Sequence, residues 1–138
     1  MTKFDFLKAH GLGNDFVILS DFARLEISNK LIEFICDRKI GIGCDLVVFL
    51  DETDNNYSDI TSRFFNKDGS EAEICGNALR CIGKNYFKKL NKTNLTIETN
   101  SGLIDVEKQN DGNIAVDLGK PKLKWDKIPL NFETDTSD

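Results

Sequence analysis

The segment that most constrains this chain is a helix that cannot sit at a surface. Ala78, Leu79, Cys81, Ile82, Tyr86, Phe87 and Leu90 recur at helical spacing and cover more than half of the circumference. A helix apolar over that much of its surface is enclosed by other elements. Elements to enclose it lie on both sides in the chain. Phe4 to Phe6 and Phe16 to Leu19 read as two short strands around a glycine turn, His10-Gly11-Leu12-Gly13-Asn14. Leu46 to Leu50 is a wholly apolar run of strand length, hence a buried strand. Ile60 to Phe65 is another strand, Asn66-Lys67-Asp68-Gly69 is a turn by composition, and Glu71 to Ile74 pairs back. After Asn91 the period drops to two. Leu95 to Thr99, Leu103 to Glu107 and Ile114 to Leu118 read as a meander, with turns at Asn100-Ser101-Gly102 and Asp111-Gly112.

A second helix is amphipathic. Ser28 is placed to cap it, and Leu31, Ile32, Ile35 and Cys36 form one apolar face. The expected fold is therefore α+β. A mostly antiparallel sheet curves around a central helix, and the Ser28 helix packs outside. A chain of 138 residues has room for one ordinary domain, and residues 1–119 account for it. From Lys120 the pattern breaks, with Pro121 and Pro129 flanking Trp125 and no clear period. Residues 120–138 read as the start of a second domain, or as a tail that is disordered or exchanged with another copy.

The 18 Lys and Arg against 23 acids give a net charge of −5. An acidic chain without a basic stripe argues against a nucleic-acid platform or an anionic membrane surface. No apolar run approaches the ~18 residues of a membrane-spanning helix. Met1 to Phe6 lacks the pattern of a secretory signal. The expected location is the cytoplasm, where thiols stay reduced, so Cys36, Cys44, Cys75 and Cys81 are expected to be free. No C-x-x-C pair is present, and one His does not complete a zinc site.

Chemistry concentrates in Phe65 to Cys81. Cys75 stands at the step from a strand into the enclosed helix, where backbone N–H groups are unpaired and the dipole favours negative charge. Gly76 lets a ligand approach the backbone, and Asn77 can cap the helix or donate to a carboxylate. The position suits a reactive thiolate beside an anion pocket. Cys36, Cys44 and Cys81 have apolar neighbours and read as small buried hydrophobes. His10 beside two glycines is a weaker candidate base. Gly11-x-Gly13 and Gly41-x-Gly43 lack the third glycine of a dinucleotide fingerprint, and there is no P-loop. Asn66-x-Asp68-Gly69 lacks the spaced acids of a calcium loop.

Three separated motifs carry a family resemblance. They are His10-Gly11-Leu12-Gly13-Asn14-Asp15-Phe16, Gly41-Ile42-Gly43-Cys44-Asp45, and Asn66 through Cys81. In this order, over essentially the whole chain, they resemble diaminopimelate epimerase. The resemblance implies an isomerase that inverts the α-carbon at one end of a diaminopimelate, with no pyridoxal phosphate and no metal. Two cysteines on opposite faces of that carbon exchange the proton, and the product feeds lysine and cell-wall synthesis. Each of the family's two similar domains wraps sheet around a central helix and supplies one cysteine. By resemblance Cys75 is the first of these, and Asn14, Asn66, Gly76 and Asn77 match substrate-binding positions.

Leu46 stands where the family often has Gln, Ala9 where Met is common and Ala78 where Gly is common. The family is about twice as long, near ~270 residues. Its second cysteine motif is not in this sequence, nor is the last strand that returns to complete the first domain. The expectation is a first half that is inactive alone. Its expected partners are a diaminopimelate, the missing C-terminal half, or a second copy offering its own Cys75. A ligand-binding module without turnover is the alternative reading, and a peroxide-reactive thiol is a third.

Overall fold

The computed structural model describes residues 4–20, 27–53 and 55–136. One eight-stranded sheet holds the strands β1 (Phe6–Gly11), β2 (Asn14–Ser20), β3 (Leu46–Glu52), β4 (Ile60–Asn66), β5 (Glu71–Ala72), β6 (Asn94–Thr99), β7 (Gly102–Lys108) and β8 (Ile114–Val116). Two helices, α1 (Asn29–Cys36) and α2 (Gly76–Leu90), pack on it. The spatial order is β1-β2-β3-β4-β6-β7-β8, with β5 paired to β4. Five of the seven pairings are antiparallel. The two parallel ones, β2 with β3 and β4 with β6, need crossover connections, and α1 and α2 lie in those connections.

The apolar run of β3 is explained by cover on both faces. Leu46, Val48 and Leu50 join Phe16 and Ile18 of β2 in the core around α2. Val47 and Phe49 join Val17 and Leu19 against Ile32, Ile35 and Cys36 of α1. Period-2 alternation thus sends one residue to each helix in turn. Phe49 and Phe65 meet edge to face at 5.5 Å between centroids. Ser28 caps α1 as expected, accepting from the Leu31 amide at 3.3 Å.

Helix α2 buries Ala78, Leu79, Cys81, Ile82, Gly83 and Phe87. It touches β1 as well as β6, β7 and β8, strands from opposite ends of the sheet, so the sheet curls around it. Gly83 lets α2 approach β7 closely. A Cβ there would lie 2.7 Å from Val106 Cγ1 on β7. Beyond Lys120 the described chain forms one 3-10 turn, Trp125–Lys127. No described helix is long and apolar enough to cross a membrane.

Three strand expectations are corrected at their ends. The first strand runs Phe6–Gly11 instead of Phe4 to Phe6, because its ladder with β2 extends to Gly11↔Asn14 at the turn. The segment Glu71 to Ile74 pairs only through Glu71 and Ala72, since the chain must leave β4 to start α2. The last strand stops at Val116 instead of Leu118, which is 59% exposed. Met1 to Lys3 of the N-terminal reading lie outside the described residues.

Candidate active site

Cys75 is the residue that caps α2 at its N-terminus, in an extended conformation (φ −140°, ψ 103°). Its carbonyl accepts from the Leu79 amide at 3.0 Å, but its side chain makes no capping bond. The amides of the first helical turn, starting at Gly76 and Asn77, therefore take no acceptor from the cap side chain and face outward from the helix end. Cys75 is half-buried, whereas Cys36, Cys44 and Cys81 are buried. Burial pushes the Cys36 thiol up to about 12, with a further push from the hydrogen bond with Cys44. Burial raises Cys44 and Cys81 as well. Cys36 and Cys44 stand 3.5 Å apart, sulfur to sulfur, as free thiols in the core under α1.

Asn14 brings the β1–β2 turn to Cys75. The thiol donates to Asn14 Oδ1 at 3.9 Å, and Asn77 Nδ2 donates to the same oxygen at 3.4 Å. The turn that holds Asn14 reverses the chain within two residues, Leu12 and Gly13, both at positive φ (55° and 86°). Gly11 is pressed against α2. A Cβ there would meet Asn77 Cβ and the Asn77 carbonyl oxygen, both at 3.3 Å. Asn77 does not cap the helix, since Cys75 holds that position, and its oxygen instead accepts from Arg80.

Gly76 is half-buried, and the nearest group to a Cβ built on it is Leu118 Cδ1 at 3.6 Å. Packing therefore leaves room for a methyl group at Gly76. Asn66 sits at the end of β4 in register with Leu46, which pairs in turn with Phe16. Asn66 and Asn14 thus lie at the same end of the sheet. The Asn66 amide donates to Ser70 Oγ at 3.0 Å within its own turn, and its backbone N–H bonds the Ser70 carbonyl at 2.8 Å. Four of the five expected residues, Asn14, Cys75, Gly76 and Asn77, are contiguous, and Asn66 bonds within its own turn at the end of β4.

Sequence reasoning did not single out Arg38, Asp45 or Arg80. Asp45 Oδ2 accepts from Asn14 Nδ2 at 3.2 Å and from the Asp15 amide at 3.1 Å. Arg38 bridges Asp15 Oδ1 at 2.7 Å and Asp45 Oδ1 at 2.9 Å. The guanidinium of Arg38, with Lys8 and the Asp45 amide assisting against burial, holds the Asp15 carboxyl well below the usual carboxylate range. These residues look like surface charges in sequence. For Asp45 and Arg80 the signal that could have found them is their place inside two of the motifs, whereas Arg38 lies outside all three. Leu46 is 7% exposed and packs in the α2 core, so it does not line the pocket as a polar residue would.

A cavity of about 780 Å³ runs along α2 between β1 and the β7–β8 hairpin. Its lining includes His10, Arg80, Lys84, Lys88, Lys92 and Lys108. Cys75 does not line it, but Gly11 and Arg80, which do, both contact Asn77. Strands β1 and β8 are the ends of the sheet order, so each leaves an edge unpaired among the described residues. No three of His, Cys, Asp and Glu among the described residues converge to hold a metal.

Comparison with known proteins bears on this geometry. The family model for diaminopimelate epimerase matches residues 6–124. A protein of Carboxydothermus hydrogenoformans named diaminopimelate epimerase is 43% identical over 135 residues, covering 94% of this chain and 48% of the relative. The protein of that name from Trichodesmium erythraeum is 44% identical over 138 residues, covering 96% and 48%. The chain thus spans about half the length of the curated relatives it matches. Among solved structures, a hydroxyproline epimerase from Agrobacterium vitis superposes with a TM-score of 0.64 at 15% identity, covering 80% of this chain and 40% of that one. A methylitaconate-delta-isomerase gives 0.59 at 15% identity, covering 80% and 36%. At such identities these two show a shared fold.

Proposed function

Because this chain belongs to the diaminopimelate epimerase family, we propose that it is one half of a cofactor-independent epimerase acting on diaminopimelate, with Cys75 as one of two proton-transferring thiols. The observation that carries the reading is the placement of Cys75. It is the half-buried cysteine of the four, at the leading end of the enclosed helix, with Asn14 and Asn77 beside it.

The chemistry follows from that placement. A thiolate on one face of the α-carbon takes its proton, forming S–H while the C–H electron pair stays on carbon. The negative charge that builds spreads into the adjacent carboxylate. Helix amides at Gly76 and Asn77 can stabilise it without reorganising. Asn14, Asn66 and Asn77 can hold the substrate's carboxylate and ammonium groups without adding a charge that needs compensation. A thiol on the opposite face then returns a proton, and the centre is inverted. No step calls on pyridoxal phosphate or a metal. The product of such a reaction serves lysine and peptidoglycan-precursor synthesis in the cytoplasm.

The second thiol must come from elsewhere, because Cys36 and Cys44 are buried in the core under α1 and Cys81 is buried on α2, its thiol raised by burial. Its source is the family's C-terminal half, and alone this chain is inactive. The open edges of β1 and β8, on either side of the cavity along α2, are where a strand of that half would complete the sheet.

The test is incorporation of solvent deuterium at the α-carbon of diaminopimelate in heavy water. The chain alone should give none. Mixed with the C-terminal half of a relative, it should give exchange that disappears in Cys75→Ala. Exchange that persists in Cys75→Ala would overturn the assignment of Cys75. Cys75-dependent exchange by the chain alone would replace the missing half with a second copy.

A further inference from the structure

A carboxamide has two ends of nearly equal size and opposite polarity, so two asparagines beside a thiol can be arranged in four ways. Only neighbours of fixed polarity choose among them. A carboxylate can only accept and a guanidinium can only donate. Both kinds of neighbour are present, one at each end of the pair. Asp45 Oδ2 faces Asn14 Nδ2 at 3.2 Å, and Arg38 anchors the other oxygen of Asp45 at 2.9 Å. Arg80 donates to Asn77 Oδ1, which turns Asn77 Nδ2 toward Asn14 Oδ1 at 3.4 Å.

We propose that Asp45 and Arg80 are positioning residues that lock the polarity of the Asn14 and Asn77 carboxamides, so that Asn14 offers Cys75 a carbonyl oxygen and not an amino group. The proposal rests on the reading of Cys75 as the working thiol. Donation runs in one direction from Arg80 to Asn77 to Asn14 to Asp45, and Arg38 closes the far end. Neither Asp45 nor Arg80 bonds Cys75, so each acts through an asparagine. The consequence falls on the sulfur. An acceptor at 3.9 Å gives the S–H proton a partner. An amino group in its place would instead favour the thiolate and leave the protonated acid unheld. An exchange mechanism needs the thiol as well as the thiolate, and the lock supplies an acceptor for the thiol.

The readout is the rate of Cys75 alkylation by iodoacetamide as a function of pH, followed by peptide mass spectrometry on the whole chain. It needs no substrate or turnover, so a chain inactive as an epimerase still reports on the lock. Asp45→Ala with Arg80→Met removes both ends of the lock and one charge of each sign, so Asn14 is free to turn its amino group toward Cys75. Alkylation near neutral pH should become roughly threefold faster. Asp15→Asn removes a charge and a tie from the same cluster but leaves Asp45 facing Asn14, and should react at the rate of the unmodified chain. That second variant separates polarity from lost charge and simple loosening, which would accelerate it too. Coincident profiles for the double variant and the unmodified chain, or equal acceleration in Asp15→Asn, would overturn the proposal. Should the double variant fail to fold, nuclear Overhauser contacts in the unmodified chain decide. Asn14 Nδ2 protons near the Asp15 amide support the lock, and contacts from those protons to Cys75 Cβ protons refute it.

Discussion

Replacing Asp15 with Asn perturbs the tie that holds the 37–45 loop against the β1–β2 turn. Each carboxylate oxygen of Asp15 serves two donors. Oδ1 accepts from Arg38 at 2.7 Å and the Asp45 amide at 3.0 Å, and Oδ2 accepts from Lys8 at 2.8 Å and Arg38 at 3.0 Å. In Asp15→Asn one oxygen becomes a donor facing two donors. The amino group settles on the Oδ2 side, because Lys8 and Arg38 can swing away and the backbone amide cannot. Two charge-assisted bonds are then lost. Bonds to charged groups contribute about 1.5–3 kcal/mol when well shielded. Here Asp15 is 17% exposed, but Lys8 is 40% and Arg38 58% exposed, so solvent screening reduces each to about 0.5–1 kcal/mol. The expected loss near neutral pH is about 1–2 kcal/mol, a drop of roughly 0.5–1 M in the urea midpoint.

The pH dependence has a definite sign. The Arg38 guanidinium first of all holds the folded-state Asp15 below its unfolded value. Stability from such a group is present above the unfolded carboxylate range of about 3.9 and is lost as pH falls toward the folded value. The gap between the unmodified chain and Asp15→Asn should be full at about pH 6, then close by up to about 1.4 kcal/mol per pH unit below about pH 4. Urea unfolding of both chains between these limits measures it. A gap under about 0.3 kcal/mol near neutral pH, or one that stays constant down to about pH 3, would refute the reasoning.

Two further outcomes follow from burial. Leu79 is fully buried one helical turn after Cys75, so Leu79→Ala should lower the unfolding free energy by about 2–5 kcal/mol through the cavity it leaves; a thermal or urea melt checks this, and a loss under about 1 kcal/mol would show that α2 is not enclosed. Cys36 and Cys44 should resist iodoacetamide in the folded chain and react once urea unfolds it, because burial holds both thiols protonated. Rapid labelling of Cys36 without urea would contradict the packing under α1.

Local interactions account for what the sequence alone determined. The Ser28 cap, the turn at Asn66 to Gly69, the enclosed helix and the position of Cys75 at its leading end all depend on residues a few places apart, and all stand where the pattern put them. The doubly covered strand Leu46–Glu52 was legible for a related reason, since an apolar run of strand length needs cover on both faces. Strand ends were read less well, because a ladder stops where its partner stops and that partner is distant in sequence. The tertiary structure decided which polar side chains meet. Asn14 and Cys75 are 61 residues apart and meet because the sheet curls the β1–β2 turn onto α2, while Asn14 and Asp45, 31 apart, meet because β2 and β3 run side by side from Phe16↔Leu46. A charged residue has the same local signature whether it faces solvent or meets a half-buried partner, so the contacts of Arg38 and Asp45 in their loop and of Arg80 on α2 were set only when the chain closed around its helix.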